Sequence, residues 1–128
     1  MKVYSYFVCQ VWNEEKESYE MKKLKCSNEV IEHPGIYEQA DDNKFYTSWT
    51  SSFKNNTNYL CKSSIGEVTR HVYGTSVIYG TYLTEDDEKK AFDIIANECK
   101  KDIEELQRKL EEQTSIYNLI CSGEVLER

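Results

Sequence analysis

The sequence is short of proline, glycine and histidine, and it has no long apolar run. It contains one proline, five glycines and two histidines among 128 residues. No stretch approaches the roughly 18 consecutive apolar residues of a membrane helix, so we expect no membrane span. The N-terminal segment also lacks the apolar core and small-residue cleavage site typical of a signal peptide.

Positive charge is scarce as well. The chain has 16 lysines and arginines against 23 aspartates and glutamates, which leaves a net charge of -7. This balance argues against binding to duplex DNA or to an anionic membrane through bulk charge. A small anion in a local basic pocket remains compatible with it. The length predicts a single domain covering residues 1–128.

The sequence also lacks the usual motifs of catalysis and metal binding. Its five cysteines are spread without any C-x-x-C pair, which predicts reduced thiols in a cytosolic compartment rather than disulfides or a zinc site. It has no P-loop, no G-x-G-x-x-G and no G-x-S-x-G. A two-histidine phosphodiesterase would usually have Ser or Thr two residues after each histidine. Here the positions two residues after His33 and His71 are Gly35 and Tyr73. We therefore expect no enzyme activity, no metal and no cofactor.

What the sequence does contain predicts an α+β fold: an N-terminal antiparallel β-sheet in residues 1–83, a long helix in 84–121 and a tail in 122–128. Residues 3–12 predict a strand in which both the odd and the even positions include apolar side chains. We therefore expect both faces of this strand to be covered. His33-Pro34-Gly35 predicts a turn, and Gly80 within a strand predicts a bulge or a close backbone approach. The further strand candidates are residues 18–26, a short piece beginning at 30, 44–50, 58–62, 68–73 and 77–83.

The long helix, whether continuous or broken, carries a heptad pattern. Thr84 is the expected N-cap and Gly123 the expected stop. Apolar residues spaced by three and four predict a seam that packs first on the sheet and then on another chain. The alternative is a helical hairpin that folds back near Gln113–Ser115. The seam consists of Phe92, Ile95, Cys99, Ile103, Leu106, Leu110, Gln113, Tyr117 and Ile120.

Arginine and tyrosine are the residues most suited to holding a ligand. Only three arginines occur, and the guanidinium of Arg70 or Arg108 suits phosphate through its planar fork. Tyr79 and Tyr82 could stack on a nucleobase. The alternatives are a sheet-surface charge for Arg70, an ion pair with Glu104 or Glu112 for Arg108, and core or sheet packing for the tyrosines.

Three segments carry a resemblance to a known family. They are the opening MKVYSYFV, the junction VIYGTYLTEDDEKKAFDIIAN and the helical DIEELQRKLEEQ. In layout, the chain resembles the phage anti-Thoeris proteins that sequester the cyclic ADP-ribose-type signal made by bacterial TIR proteins. The resemblance implies binding without cleavage, in the cytoplasm of an infected bacterium. It also implies a homo-oligomer built on dimers, up to a hexamer, with cyclic di- or trinucleotides as further ligands.

The resemblance also implies a binding site. Tyr82, with Tyr79 as the alternative ring, would face the base, Arg70 and Arg108 would hold phosphate, and Asn97 would complete the pocket. In the family the ring that faces the base is often Phe, so Tyr82 is a substitution. The chain also has only two internal arginines, fewer than the family pattern leads us to expect. The competing hypothesis is an acidic protein-binding inhibitor of the anti-CRISPR kind, acting through Glu104, Glu105, Glu111 and Glu112.

Overall fold

The computed structural model describes residues 1–40, 45, 58–73 and 76–128. They form two compact units, Met1–Ala96 and Asn97–Arg128. The predicted α+β class is confirmed, while the strand expected at 44–50 lies outside the described residues except for Phe45. The elements are β1 Lys2–Asn13, β2 Ser18–His33, β3 Ile36–Gln39, β4 Tyr59–Cys61, a short 3-10 turn Lys62–Ser64, β5 Val68–Tyr73, β6 Ser76–Leu83 and α1 Glu88–Ser122.

The six strands form one antiparallel sheet in the order β4-β3-β2-β1-β6-β5. The sheet curls because the long β2 pairs with β1 through its residues 18–29 and with β3 through its residues 30–33. The turn at Lys62–Ser64 then joins the two edge strands. Just after it, Ile65 bridges to Tyr82, and the Gly66 amide donates to the Tyr82 carbonyl at 2.8 Å. The residues at 30–31 therefore continue β2, rather than starting the separate piece expected from the sequence.

Both faces of β1 are covered, as its alternation predicts. Val3 and Phe7 face the inside of the curl, where they belong to an apolar cluster. Tyr6 faces the other way and packs with Ala91 and Ile95 from the first turns of α1. The inner cluster consists of Val3, Phe7, Val30, Tyr37, Phe45, Leu60 and Tyr82.

Gly80 is required by a close approach within the inner face. It pairs with Phe7 across β1 and β6, and a Cβ atom at residue 80 would lie 2.6 Å from the Phe7 ring. The predicted close approach is confirmed. Cys9 is buried on the same face of β1, and burial raises the pKa of its thiol to about 11. All five cysteines are free thiols.

The start of the helix differs from the expectation. Asp87, rather than Thr84, is the N-cap: its side-chain oxygen accepts from the Lys90 amide at 3.0 Å, and its carbonyl accepts the first helical bond from Ala91 at 3.1 Å. The Tyr6 hydroxyl accepts from the Asp87 amide at 3.0 Å. This long-range hydrogen bond fixes where the helix begins, which is why local sequence placed the start too early.

The helix continues without interruption to Ser122. Residues 113–115 are helical, so the alternative of a hairpin folding back at Gln113–Ser115 is wrong. With no proline and no glycine between Glu88 and Ser122, no residue of that span breaks the backbone hydrogen-bond series.

Candidate functional site

Two of the residues expected to bind a ligand lie side by side. Arg70 of β5 and Tyr79 of β6 are direct cross-strand partners, which places their side chains on the same face of the sheet, about 5 Å apart at Cβ. That face is the one on which the first turns of α1 pack, since Tyr79 borders the cluster of Tyr6 and Leu83. Arg70 is exposed and Tyr79 is half-buried. An arginine fork and an aromatic ring are thus combined at an accessible surface.

Tyr82 occupies a different environment. Its side chain is 1% exposed, and its ring makes edge contacts with Phe7 at 6.0 Å and with Phe45 at 6.5 Å between centroids. The alternation of β6 turns residue 82 towards the inside of the curl. The structure therefore places Tyr82 in the core, which corrects the role expected for its ring as a ligand-stacking surface.

The buried Tyr82 hydroxyl leads to a stability prediction. It has no hydrogen-bond partner among the described residues, and burial raises the pKa of the phenol. An unsatisfied buried hydroxyl costs free energy, so Tyr82→Phe should increase the free energy of unfolding by about 1 kcal/mol. Urea denaturation followed by circular dichroism measures this. Tyr37→Phe is the matched control, because the Tyr37 hydroxyl is not a buried unpartnered group. A loss of stability in Tyr82→Phe would contradict the prediction.

The other two expected residues belong to the second unit. Asn97 and Arg108 are both exposed. Arg108 is two residues from Leu106 and two from Leu110, and two residues correspond to about 200° around a helix. It therefore lies on the face opposite the apolar seam. Arg108 forms no ion pair with Glu104 or Glu112, whereas the neighbouring Lys109 contacts Glu105 at 3.4 Å.

The seam itself is an exposed apolar face along Asn97–Ser122. Its apolar side chains from residue 103 onwards are between 49% and 78% exposed. A contiguous apolar stripe of this kind is costly in water and typically marks a surface that packs on another protein chain. The exposed members are Ile103, Leu106, Leu110, Tyr117 and Ile120.

The sheet face around Arg70 and Tyr79 is positively charged despite the acidic composition of the chain. In the described parts of β1, β5 and β6 and in residues 18–27 of β2, no carboxylate lies on this face, whereas Glu29 of β2 lies on it opposite Lys2. Lys23 projects from it, with its ammonium group 4.9 Å from the centre of the Phe92 ring. Lys25 is engaged by Asp86 and Glu88, and its hydrogen bond to Asp86 raises the pKa of the lysine. Lys23 and Arg70 are two further cations of this face.

A shallow groove of about 440 Å³ adjoins Lys23, between β2 and the first turns of α1. Lysine side chains line it together with Phe92, and Glu88 and Asp93 offset part of their charge. Lys89 is paired with Asp93 at 2.9 Å. The groove extends the surface beside the sheet, but its own charges are largely neutralised.

The sequence analysis did not predict that Trp12, Tyr19 and Lys23 belong to this surface. All three lie on the same face as Arg70 and Tyr79. The alternation of β1 already placed Trp12 opposite the inner positions, so this signal was available. That Trp12 pairs with Tyr19 could be predicted only from the register of the hairpin. That this surface lies close to β5 could be predicted only from the order of the strands in the sheet.

Comparisons with protein-family models, with curated proteins and with solved structures found no match for the chain. Within the described residues, no group of three or more His, Cys, Asp and Glu side chains is placed to hold a metal ion. A search of the same part of the chain for a helix with the length and hydropathy of a membrane span found none.

Proposed function

We propose that this protein binds a cyclic ADP-ribose-type nucleotide and sequesters it without cleaving it, as an anti-defence protein of the kind its sequence resembles. The observation that carries the proposal is the cross-strand pair of Arg70 and Tyr79 on an accessible sheet face. A guanidinium can form two hydrogen bonds to a phosphate, and an aromatic ring can stack on a base. Cyclic di- and trinucleotides carry the same two chemical groups and are the second ligand class in the proposal.

Local charge supports an anionic ligand. The whole chain has a net charge of -7, yet the sheet face around Tyr79 presents Lys23 and Arg70, while the strand carboxylate of Glu29 lies farther along the same face. A ligand with two phosphates would be repelled by most of the protein surface and attracted to this face. Sequestration further requires that binding sites outnumber free signal and that release is slow.

The proposal includes self-association through the apolar seam of α1. Two copies packed along Ile103, Leu106 and Leu110 would remove these exposed side chains from water. Because Arg108 lies opposite the seam, a dimer formed in this way leaves its guanidinium accessible, either to a ligand or to a further copy of the chain. Asn97 is also accessible in the described structure.

The function is tested by calorimetry with cyclic ADP-ribose, its linkage isomers and a set of cyclic oligonucleotides. The complex is then heat-denatured and the supernatant analysed by mass spectrometry. We expect tight binding of one isomer and recovery of the intact nucleotide. A linearised or hydrolysed product would show catalysis instead, and an absence of binding to every nucleotide would overturn the proposal.

Arg70→Ala is expected to weaken nucleotide binding by roughly tenfold or more, because a charge-assisted hydrogen bond contributes about 1.5–3 kcal/mol. Dissociation constants from the same calorimetry measure the effect. Arg128→Ala is the matched control, since Arg128 is an exposed arginine in the C-terminal tail. If Arg70→Ala and Arg128→Ala bind equally well, the ligand does not use this sheet face.

A second candidate, the acidic protein-binding inhibitor, is favoured by the exposed carboxylates of α1. Glu104, Glu105, Glu111 and Glu112 are all exposed. Reversing their charges to lysine should abolish function under this hypothesis and leave Arg70→Ala without effect. Nucleotide sequestration predicts the opposite pattern in the same two variants.

A further inference from the structure

The exposed seam of α1 follows a strict heptad pattern from residue 99 to residue 120. Its members are spaced alternately by four and by three residues, so they occupy positions a and d of successive heptads. A regular alternation of this kind is typical of a helix that packs along its length on a second helix with the same pattern. The a positions are Ile103, Leu110 and Tyr117, and the d positions are Cys99, Leu106, Gln113 and Ile120.

Gln113 is the one amide among these a and d positions, and its side chain is exposed. Its neighbours along the seam, Leu110 and Tyr117, are 64% and 66% exposed. A helix packed on the seam would cover all three side chains. Burying an amide without a hydrogen-bond partner costs free energy, so the residue that faces Gln113 has to offer a polar group.

An antiparallel second copy does not meet this condition. In such a pair each a residue faces a d residue of the other helix. The registers that keep most of the seam in contact place Gln113 opposite Leu110 or Ile103, which have no polar group. A further shift by one heptad places Gln113 opposite Tyr117. That shift leaves Ile103 and Leu106 uncovered, because the positions that would face them lie beyond the end of the helix.

A parallel second copy in register meets the condition. Each residue then faces the same residue of the other chain, so the two Gln113 amides meet and each can donate to the carbonyl oxygen of the other. The flanking e and g positions are also compatible with this arrangement. Asp102 of one helix would lie beside Gln107 of the other, and Lys109 beside Thr114, so no like charges meet.

We propose that the partner of the seam is a second copy of this chain, packed as a parallel, in-register, two-stranded coiled coil over residues 99–120. The Gln113 pair sets the orientation and the register, at a cost in affinity. Ile103 at position a with Leu106 at position d is the combination that favours two strands. The inference specifies the geometry of the self-association included in the proposed function and rests on it.

Disulfide linkage shows which residues face one another. Two cysteines at residue 120 would be within disulfide reach in the parallel pair, whereas about 15 Å or more along the helix axis would separate them in the antiparallel registers above. The test uses the full chain with Cys61, Cys99 and Cys121 replaced by serine. Ile120→Cys is then introduced as the test variant, and Ser115→Cys, on the face opposite the seam, as the matched control.

After mild oxidation in a glutathione buffer, we expect Ile120→Cys to give roughly tenfold more disulfide-linked dimer than Ser115→Cys on a non-reducing gel. Both variants retain the same inner-sheet cysteines, so the control measures linkage through those thiols. Light scattering of the reduced proteins shows whether each variant still forms the dimer.

Gln113→Leu tests the role of the amide separately. Its dimer should be about tenfold tighter, because the seam becomes continuously apolar. In the same chain, linkage through Ile120→Cys should fall, since antiparallel pairs no longer bury an unpaired amide. A dilution series by light scattering gives the affinity. If Gln113→Leu leaves the linkage unchanged, Gln113 does not set the orientation, and this part of the inference is overturned.

The outcomes also separate this inference from the proposed function. A wild-type dimer in which Ile120→Cys links no better than Ser115→Cys overturns the parallel coiled coil and leaves self-association standing. A wild-type monomer overturns both. Calorimetry with cyclic ADP-ribose on the same proteins decides sequestration independently, because nucleotide binding is measured there whatever the orientation of the helices.

Discussion

Replacing Leu106 and Leu110 together by glutamate should leave the protein monomeric. The two side chains are 60% and 64% exposed and lie at the centre of the seam. Burying an aliphatic side chain contributes roughly 1.5–3 kcal/mol, and a dimer would bury each of these leucines twice. A dimer of the double variant would instead bring four glutamates, two from each chain, together at this interface. Their like charges would be removed from water, which costs free energy.

Light scattering coupled to size exclusion measures the result. The wild type should show at least twice the chain mass of 15.1 kDa, and the double variant should show 15.1 kDa. Ser115→Glu is the matched control, because it adds a glutamate to the same helix on the face opposite the seam. A wild-type protein that is already monomeric at micromolar concentrations would contradict self-association through this helix.

Phe7→Ala should destabilise the fold by about 3–5 kcal/mol, the usual cost of removing a buried phenylalanine. Phe7 is 0% exposed, its ring contacts Tyr82, and it fills the space that Gly80 leaves open. Because small domains are stable by only about 5–15 kcal/mol, the loss would unfold a large fraction of molecules on modest heating.

Urea unfolding followed by circular dichroism gives the free energy for Phe7→Ala. The control is Val72→Ala, which shortens a half-exposed side chain on β5 and should cost less than about 1 kcal/mol. A loss below 1 kcal/mol in Phe7→Ala would mean that the inner face of the curl is not the main core. A second variant, Phe7→Leu, keeps most of the apolar volume and should fall between the two.

The secondary structure was largely predictable because its signals are local. Alternation predicted β1 with two covered faces, Pro34 and Gly35 predicted the turn after β2, and the absence of glycine and proline predicted a long helix, although the sequence left open whether it is continuous or broken. Boundaries that depend on distant contacts were not predictable. The N-cap at Asp87 is set by the hydroxyl of Tyr6, which is far away in the sequence, and β2 is extended by its pairing with β3.

The candidate site shows the same division. Composition alone determined that this is an acidic chain with few arginines, many tyrosines and a heptad-patterned helix. Only the tertiary structure decided that Tyr82 enters the core while Tyr79 faces Arg70, and that Trp12 and Tyr19 share that surface. Which face of a strand is covered depends on the register and order of strands that are distant in sequence, and no local pattern contains this information.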